Sequence, residues 1–85
     1  MEVVYTLKAQ KDIEYWKKSG KKNIQQKIAT LIQSIEKNPS KGIGKPELLK
    51  HDLLGCWSRR IDAEHRIVYE ALEDKIVIHS LRGHY

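Results

Sequence analysis

The apolar residues of this chain change their period partway along. Over residues 21–37, Ile24, Ile28, Leu31, Ile32 and Ile35 recur at i, i+4, i+7, i+8 and i+11, one continuous stripe down a helix. From Trp57 onward the pattern turns strand-like in three runs: Trp57-Ser58-Arg59-Arg60-Ile61, Arg66 to Ala71, and Lys75 to Leu81. Only Asp62-Ala63-Glu64-His65 and Leu72-Glu73-Asp74 separate these runs, and turns this short imply an antiparallel meander. Ahead of the long helix, Val3 to Leu7 is β-rich and reads as a first strand. Residues 8–18 carry Ala9, Ile13 and Trp16 at helical spacing. Ser19-Gly20 ends that helix and Asn38-Pro39 ends the next, so the two form an antiparallel pair. The expected class is α+β: a strand, two antiparallel helices, then an antiparallel β-meander that carries the helices on one face.

Eighty-five residues make one domain, residues 1–85, with a modest core and a small margin of stability. No run of about twenty apolar residues is present, so no membrane partner is expected. Met1 to Leu7 lacks the basic start and long apolar stretch of a signal peptide, which makes the cytoplasm the expected location. The net charge is +5, distributed as +4 over residues 1–37 (eight Lys, four acids), +3 over 38–60 (five Lys/Arg, two acids) and −2 over 61–85 (three Lys/Arg, five acids). That balance favours polyanions, although many small basic domains bind no nucleic acid. Cys56 is the one cysteine, so neither an internal disulfide nor a multi-cysteine zinc site can form; a buried apolar filler is the plain alternative.

Residues 38–56 form a long segment punctuated by Gly42, Gly44, Pro46 and Gly55, and so long a loop in a small domain points to function. Leu48, Leu49, Leu53 and Leu54 are expected to tack it to the core, with one helical turn among them. Glu47 follows Pro46, which fixes the local backbone and restrains Lys45, so the Glu47 carboxylate can be aimed; a solvated loop glutamate is the alternative. Arg59 and Arg60 point to opposite faces of their strand, so only one of them can join a given site. Strand pairing can bring Arg60 beside Arg66. Guanidinium groups suit phosphate, and surface salt bridges with Asp62, Glu64 or Glu70 are the alternative use for these arginines. His84 follows a core strand closely enough to be held, and imidazole titrates near neutrality; a frayed tail is the alternative. Tyr85 offers a face for a base to stack on. A carboxylate, a guanidinium and an imidazole together suffice for RNA cleavage without a metal.

His51, His65 and His79 are weaker candidates. No pair has the close spacing of a zinc site, and H-E-x-x-H is absent, so neither a metal nor another cofactor is expected. Gly42-Ile43-Gly44-Lys45 is too short for a phosphate loop and precedes Pro46 rather than a helix. Trp16 and Trp57 read as core.

The spaced motif Gly44-Lys45-Pro46-Glu47-x-Leu49-Lys50-His51-x-Leu53-x-Gly55-x-Trp57-Ser58-Arg59-Arg60-Ile61, then Glu64-His65-Arg66-x-Val68-Tyr69, then terminal His84-Tyr85, resembles the YoeB (Txe/YoeB) toxins of bacterial toxin–antitoxin pairs, within the RelE/ParE superfamily. The resemblance is tight over the C-terminal half and follows length and element order elsewhere. It implies a microbial-ribonuclease-like fold and an endoribonuclease that cuts mRNA in the ribosomal A site. It implies ribosome and mRNA as partners, and a cognate YefM-like antitoxin that wraps and blocks the toxin; a homodimer stays open. It implies Glu47 as general base, Arg66 as transition-state stabiliser and His84 as general acid. Lys50 and Arg60 would assist at the phosphate, and Tyr85 would support substrate placement. Two rivals stand beside this reading: a ParE-like inhibitor of DNA gyrase on the same scaffold, and a basic ribosome- or RNA-binding module without chemistry.

Overall fold

A computed structural model describes residues 2–83 of the protein. The element order is β1 (Glu2–Tyr5), α1 (Leu7–Ser19), α2 (Lys22–Lys37), β2 (Glu47–Leu48), a 3₁₀ turn (His51–Leu53), β3 (Trp57–Arg60), β4 (Arg66–Ala71) and β5 (Lys75–Ser80). The strands make one five-stranded sheet in the order β1-β5-β4-β3-β2. The meander β3-β4-β5 is antiparallel as its turns require, and β2 adds to it antiparallel.

One boundary and one strand pairing differ from the sequence reading. The first strand stops at Tyr5 rather than Leu7, because the Thr6 hydroxyl accepts the Ala9 N–H as helix N-cap. That hydroxyl also donates to the His79 carbonyl, so the cap pins α1 to β5. In addition β1 lies parallel to β5, making the sheet mixed at that edge. A parallel neighbour needs a long crossover, and here the two helices and the rest of the chain supply it.

The helix stripe and one sheet face bury each other. Ala9, Trp16, Ile24, Ile28, Leu31 and Ile35 pack with Ile67, Tyr69, Ile76 and Ile78 in the main core. Gly20 takes the left-handed conformation at the end of α1, as the Ser19-Gly20 punctuation predicts. The other sheet face is largely open. A small second cluster of Leu49, Cys56 and Val68, with Leu53 against it, seats the segment after β2 there. Of the four leucines expected to tack that segment down, Leu49 and Leu53 do so. Leu48 and Leu54 remain exposed, at 51% and 77%.

Arg59 holds the long loop. It is fully buried on the helix side, with no carboxylate paired to it among the described residues. Its Nε donates to Tyr69 Oη, its Nη1 to Ser34 Oγ and the Ile43 carbonyl, and its Nη2 to the carbonyls of Asn38 and Lys41. Tyr69 in turn donates its hydroxyl to the Pro39 carbonyl. Burial pushes the Tyr69 phenol above its usual pKa, with the bond from Arg59 and that cation's charge pulling the other way. The surface salt bridge considered for Arg59 is therefore replaced by a buried fork that gathers residues 34–43. Gly42 and Gly44 let the loop pass close. A Cβ on Gly42 would meet Arg59 Nη1 at 2.9 Å, and one on Gly44 would meet Leu31 Cδ2 at 2.8 Å, both at positive φ.

Candidate active site

The open face of the sheet gathers three of the residues singled out by sequence, Glu47, Arg60 and Arg66. Glu47 in β2 stands opposite Ser58 in β3. The Ser58 hydroxyl accepts Nη1 of Arg66 at 2.8 Å. Arg60 and Arg66 are direct partners across the β3–β4 ladder, as strand pairing predicts. Strand alternation puts Ser58, Arg60, Arg66 and Val68 on one face and Arg59, Ile67 and Tyr69 on the other. Glu47 thus occupies a short paired strand rather than a free loop, one ladder position from the hydroxyl that steers Arg66.

The segment bearing Glu47 and Lys50 is bracketed by backbone strain. Lys45 has φ 53° and His51 φ 59°, left-handed values that side chains other than glycine adopt at a cost. Gly44 fixes one end by accepting the Arg60 N–H at 2.7 Å. Leu49 fixes the other, donating to the Cys56 carbonyl at 2.9 Å. Glu47 is exposed between these anchors, and Lys50 is exposed just past the second.

Two guanidinium groups opposite each other repel unless an anion bridges them. Among the described residues the ion pairs are Lys8–Asp12 and His79–Glu70, so neither Arg60 nor Arg66 has a carboxylate there. The surface salt bridges considered for them are not formed among the described residues. Lys45 and Lys50 flank Glu47 in sequence, so the segment beside Arg60 and Arg66 adds cations to this end of the sheet.

His84 and Tyr85 lie outside the described residues, but the chain leading to them is tied at each step. Asp12 accepts the Leu81 N–H at 2.9 Å, and Trp16 Nε1 donates to the Leu81 carbonyl at 2.8 Å. Arg82 stacks its guanidinium 3.6 Å over the Tyr15 ring. Gly83 donates its N–H to His65 Nδ1 at 2.9 Å and accepts the Arg66 N–H at 2.8 Å. His65 is itself set edge-on against Trp16, with ring centroids 4.9 Å apart. The last described residue is therefore bonded to the backbone of Arg66.

Sequence reasoning gave no role to Asp12, Ser58 or His65, which position the tail and Arg66. Ser58 and His65 fall inside the spaced motif, which was the available signal. Asp12, nearly buried at 5%, stands one helical turn before Trp16 on the same face of α1, and an acid there was the other clue.

A family model described as a YoeB-like toxin of bacterial type II toxin–antitoxin systems matches residues 5–85. The chain belongs to the YoeB toxin family. Toxin YoeB of Streptomyces coelicolor is 45% identical over 85 residues, all of both chains. A YoeB/ParE toxin from Agrobacterium tumefaciens has the same fold, with a TM-score of 0.93 at 40% identity over the whole of both chains. The toxin in a heterotetrameric YoeB–YefM complex from Staphylococcus aureus follows at a TM-score of 0.88 and 40% identity, covering all of this chain and 98% of that one. The YoeB fold expected from the motif is the fold observed, and among the described residues no helix is long and apolar enough to cross a membrane.

Proposed function

We propose that this YoeB family member is a ribosome-dependent endoribonuclease that cuts mRNA in the A site. Glu47 takes the proton of the ribose 2′-OH, and that oxygen attacks its own phosphorus. Arg66, with Arg60 beside it, holds the charge that builds on the phosphorane oxygens. His84 protonates the departing 5′-oxygen, leaving a 2′,3′-cyclic phosphate and a 5′-hydroxyl end. Lys50 assists at the phosphate and Tyr85 at the base. The attacking group belongs to the substrate, so the step needs neither water nor a metal-bound nucleophile.

The observation that carries this reading is the Arg60–Arg66 couple, which has no carboxylate partner among the described residues and has one member steered by the hydroxyl that faces Glu47. Such a couple at a ladder position is destabilising on its own and favourable around a phosphodiester. Gly83, bonded to Arg66, supports His84 as the third participant, because His84 is covalently joined to it. The relative crystallised with YefM supports a YefM-like antitoxin as the neutralising partner.

A toeprint of mRNA on programmed ribosomes tests the mechanism. Adding the toxin should truncate the message in the A site. A 2′-deoxy nucleotide at that position should abolish the cut, and cleavage there at the normal rate overturns 2′-OH attack. Bound but intact message would favour a binding module. Arrest of DNA replication before protein synthesis in induced cells would favour a gyrase inhibitor.

A further inference from the structure

Away from Arg66, the same open face carries a second cluster that the proposed cutting reaction does not use. Cys56 Sγ, a carboxylate oxygen of Glu70 and a ring nitrogen of His79 all lie within 4.8 Å of one another. They come from three places in the sheet: the residue before β3, β4, and β5. The thiol is buried behind the other two, while the Glu70 and His79 side chains are each 36% exposed. His79 Nε2 already meets Glu70 Oε1 at 3.1 Å.

Strand pairing shows how His79 reaches this position. Tyr69 pairs with Ile78 and its neighbour Val68 pairs with Ser80, so β5 spends one residue more than β4 across that step. The extra residue is His79. A bulge of this kind re-aims the side chain it carries, and such bulges gather next to functional sites. Spacing along the chain gave no hint of a metal, because the three residues are distant in sequence and meet only through the register of three strands.

The geometry points to a zinc-type metal site formed by Cys56, Glu70 and His79, separate from the mRNA-cutting residues. Thiolate, imidazole and carboxylate are the zinc donor set, at about 2.3, 2.0–2.1 and 2.0–2.2 Å from the ion. Ligand atoms already within 4.8 Å need only a small inward movement to reach those distances. Sulfur in the set disfavours calcium and magnesium. Three protein ligands with two of them half-exposed leave the fourth position for water or for a group from a bound partner. The cation would also reverse the local electrostatics: burial first and the Glu70 charge second push the Cys56 thiol above its usual range, and a bound ion stabilises the thiolate. The bond from Leu49 to the Cys56 carbonyl and the bond from Cys56 N–H to the Leu53 carbonyl link this site to the segment bearing Glu47 and Lys50.

Cobalt titration of the tag-free full-length chain tests the assignment. Wild type should take up a single equivalent of Co²⁺ with a thiolate-to-metal charge-transfer band that Zn²⁺ displaces. Cys56→Ser should lose the band. His79→Ala should bind about tenfold more weakly or worse, a ligand being worth at least what its supporting shell is. Zinc should raise the thermal midpoint of wild type and leave that of Cys56→Ser unchanged. Antitoxin binding by both variants keeps a folding defect from imitating loss of the site. Absence of the band in wild type, or equal zinc uptake by wild type and Cys56→Ser, overturns the proposal. The result is independent of mRNA cutting, which neither the band nor the midpoint reads.

Discussion

Arg59 and Arg60 are neighbours in β3, and the sheet turns one toward the helices and the other toward solvent. Arg59 is fully buried, and its three nitrogens donate to two hydroxyls and three carbonyls. Arg60 is exposed and faces a second arginine. The same side chain is thus spent on architecture on one face and left available on the other. A buried guanidinium is tolerated because every donor has an oxygen, and its fixed fork spans several loop carbonyls at once. Two facing guanidiniums with no carboxylate among the described residues repel each other, and the pairing becomes favourable when an anion arrives. The two faces differ in purpose: the helix side sets the loop, and the loop presents Glu47 to the open side.

Removing Arg59 should break that comparison most severely. Arg59→Met leaves the Ser34 and Tyr69 hydroxyls and three carbonyls without their donor inside the protein. Stability should fall by about 3–5 kcal/mol, a large part of what a small domain has. Arg59→Lys should recover little, because an ammonium cannot span the same fork. Urea unfolding of the isolated chain measures both. A loss below about 1 kcal/mol for Arg59→Met would show that the loop is held by other contacts.

The contrast between the two arginines was only half legible in the sequence. Alternation placed them on opposite faces, but nothing said which face was buried. Arg59's partners are mostly backbone carbonyls, which every sequence supplies and no residue pattern announces. The helices were legible because Ile24 to Ile35 repeat at one period, and the meander because its turns are short. The place of β1 was not, since a lone four-residue strand carries no mark of the edge it will join. Glu47, Arg60 and Arg66 stand out by chemistry and motif as the proposed site, yet their arrangement rests on register, through Ser58, which sequence inspection passed over. The tail was recognised as anchored, but Asp12, Trp16 and His65 as its anchors depend on contacts between residues more than fifteen positions apart.

The open face should respond in activity rather than stability. Glu47→Gln and His84→Gln should each lower cutting of ribosome-bound mRNA by about 10²-fold or more, the usual contribution of a positioned base or acid. Glu47 is exposed, and among the described residues it is paired through its backbone alone, so Glu47→Gln should leave stability within about 0.5 kcal/mol of wild type. Single-turnover cleavage beside urea unfolding separates the two effects. Near-wild-type cutting by both variants would remove these residues from the assigned roles.

Arg60→Gln gives the smallest effect and the sharpest contrast with its neighbour. It deletes one of two like charges that face each other across the ladder, and no carboxylate among the described residues loses a partner. Stability should therefore rise, by roughly 0.2–1 kcal/mol, and rise more at low salt, where the repulsion is less screened. Affinity for ribosome-bound message should fall at the same time, with a shallower salt dependence because one phosphate contact is gone. The opposite signs matter more than the sizes. An arginine serving the fold loses stability when removed, as Arg59 should, whereas one held ready for phosphate gains stability and loses binding. A fall in stability on Arg60→Gln would place Arg60 with its buried neighbour and leave Arg66 as the lone guanidinium of the site.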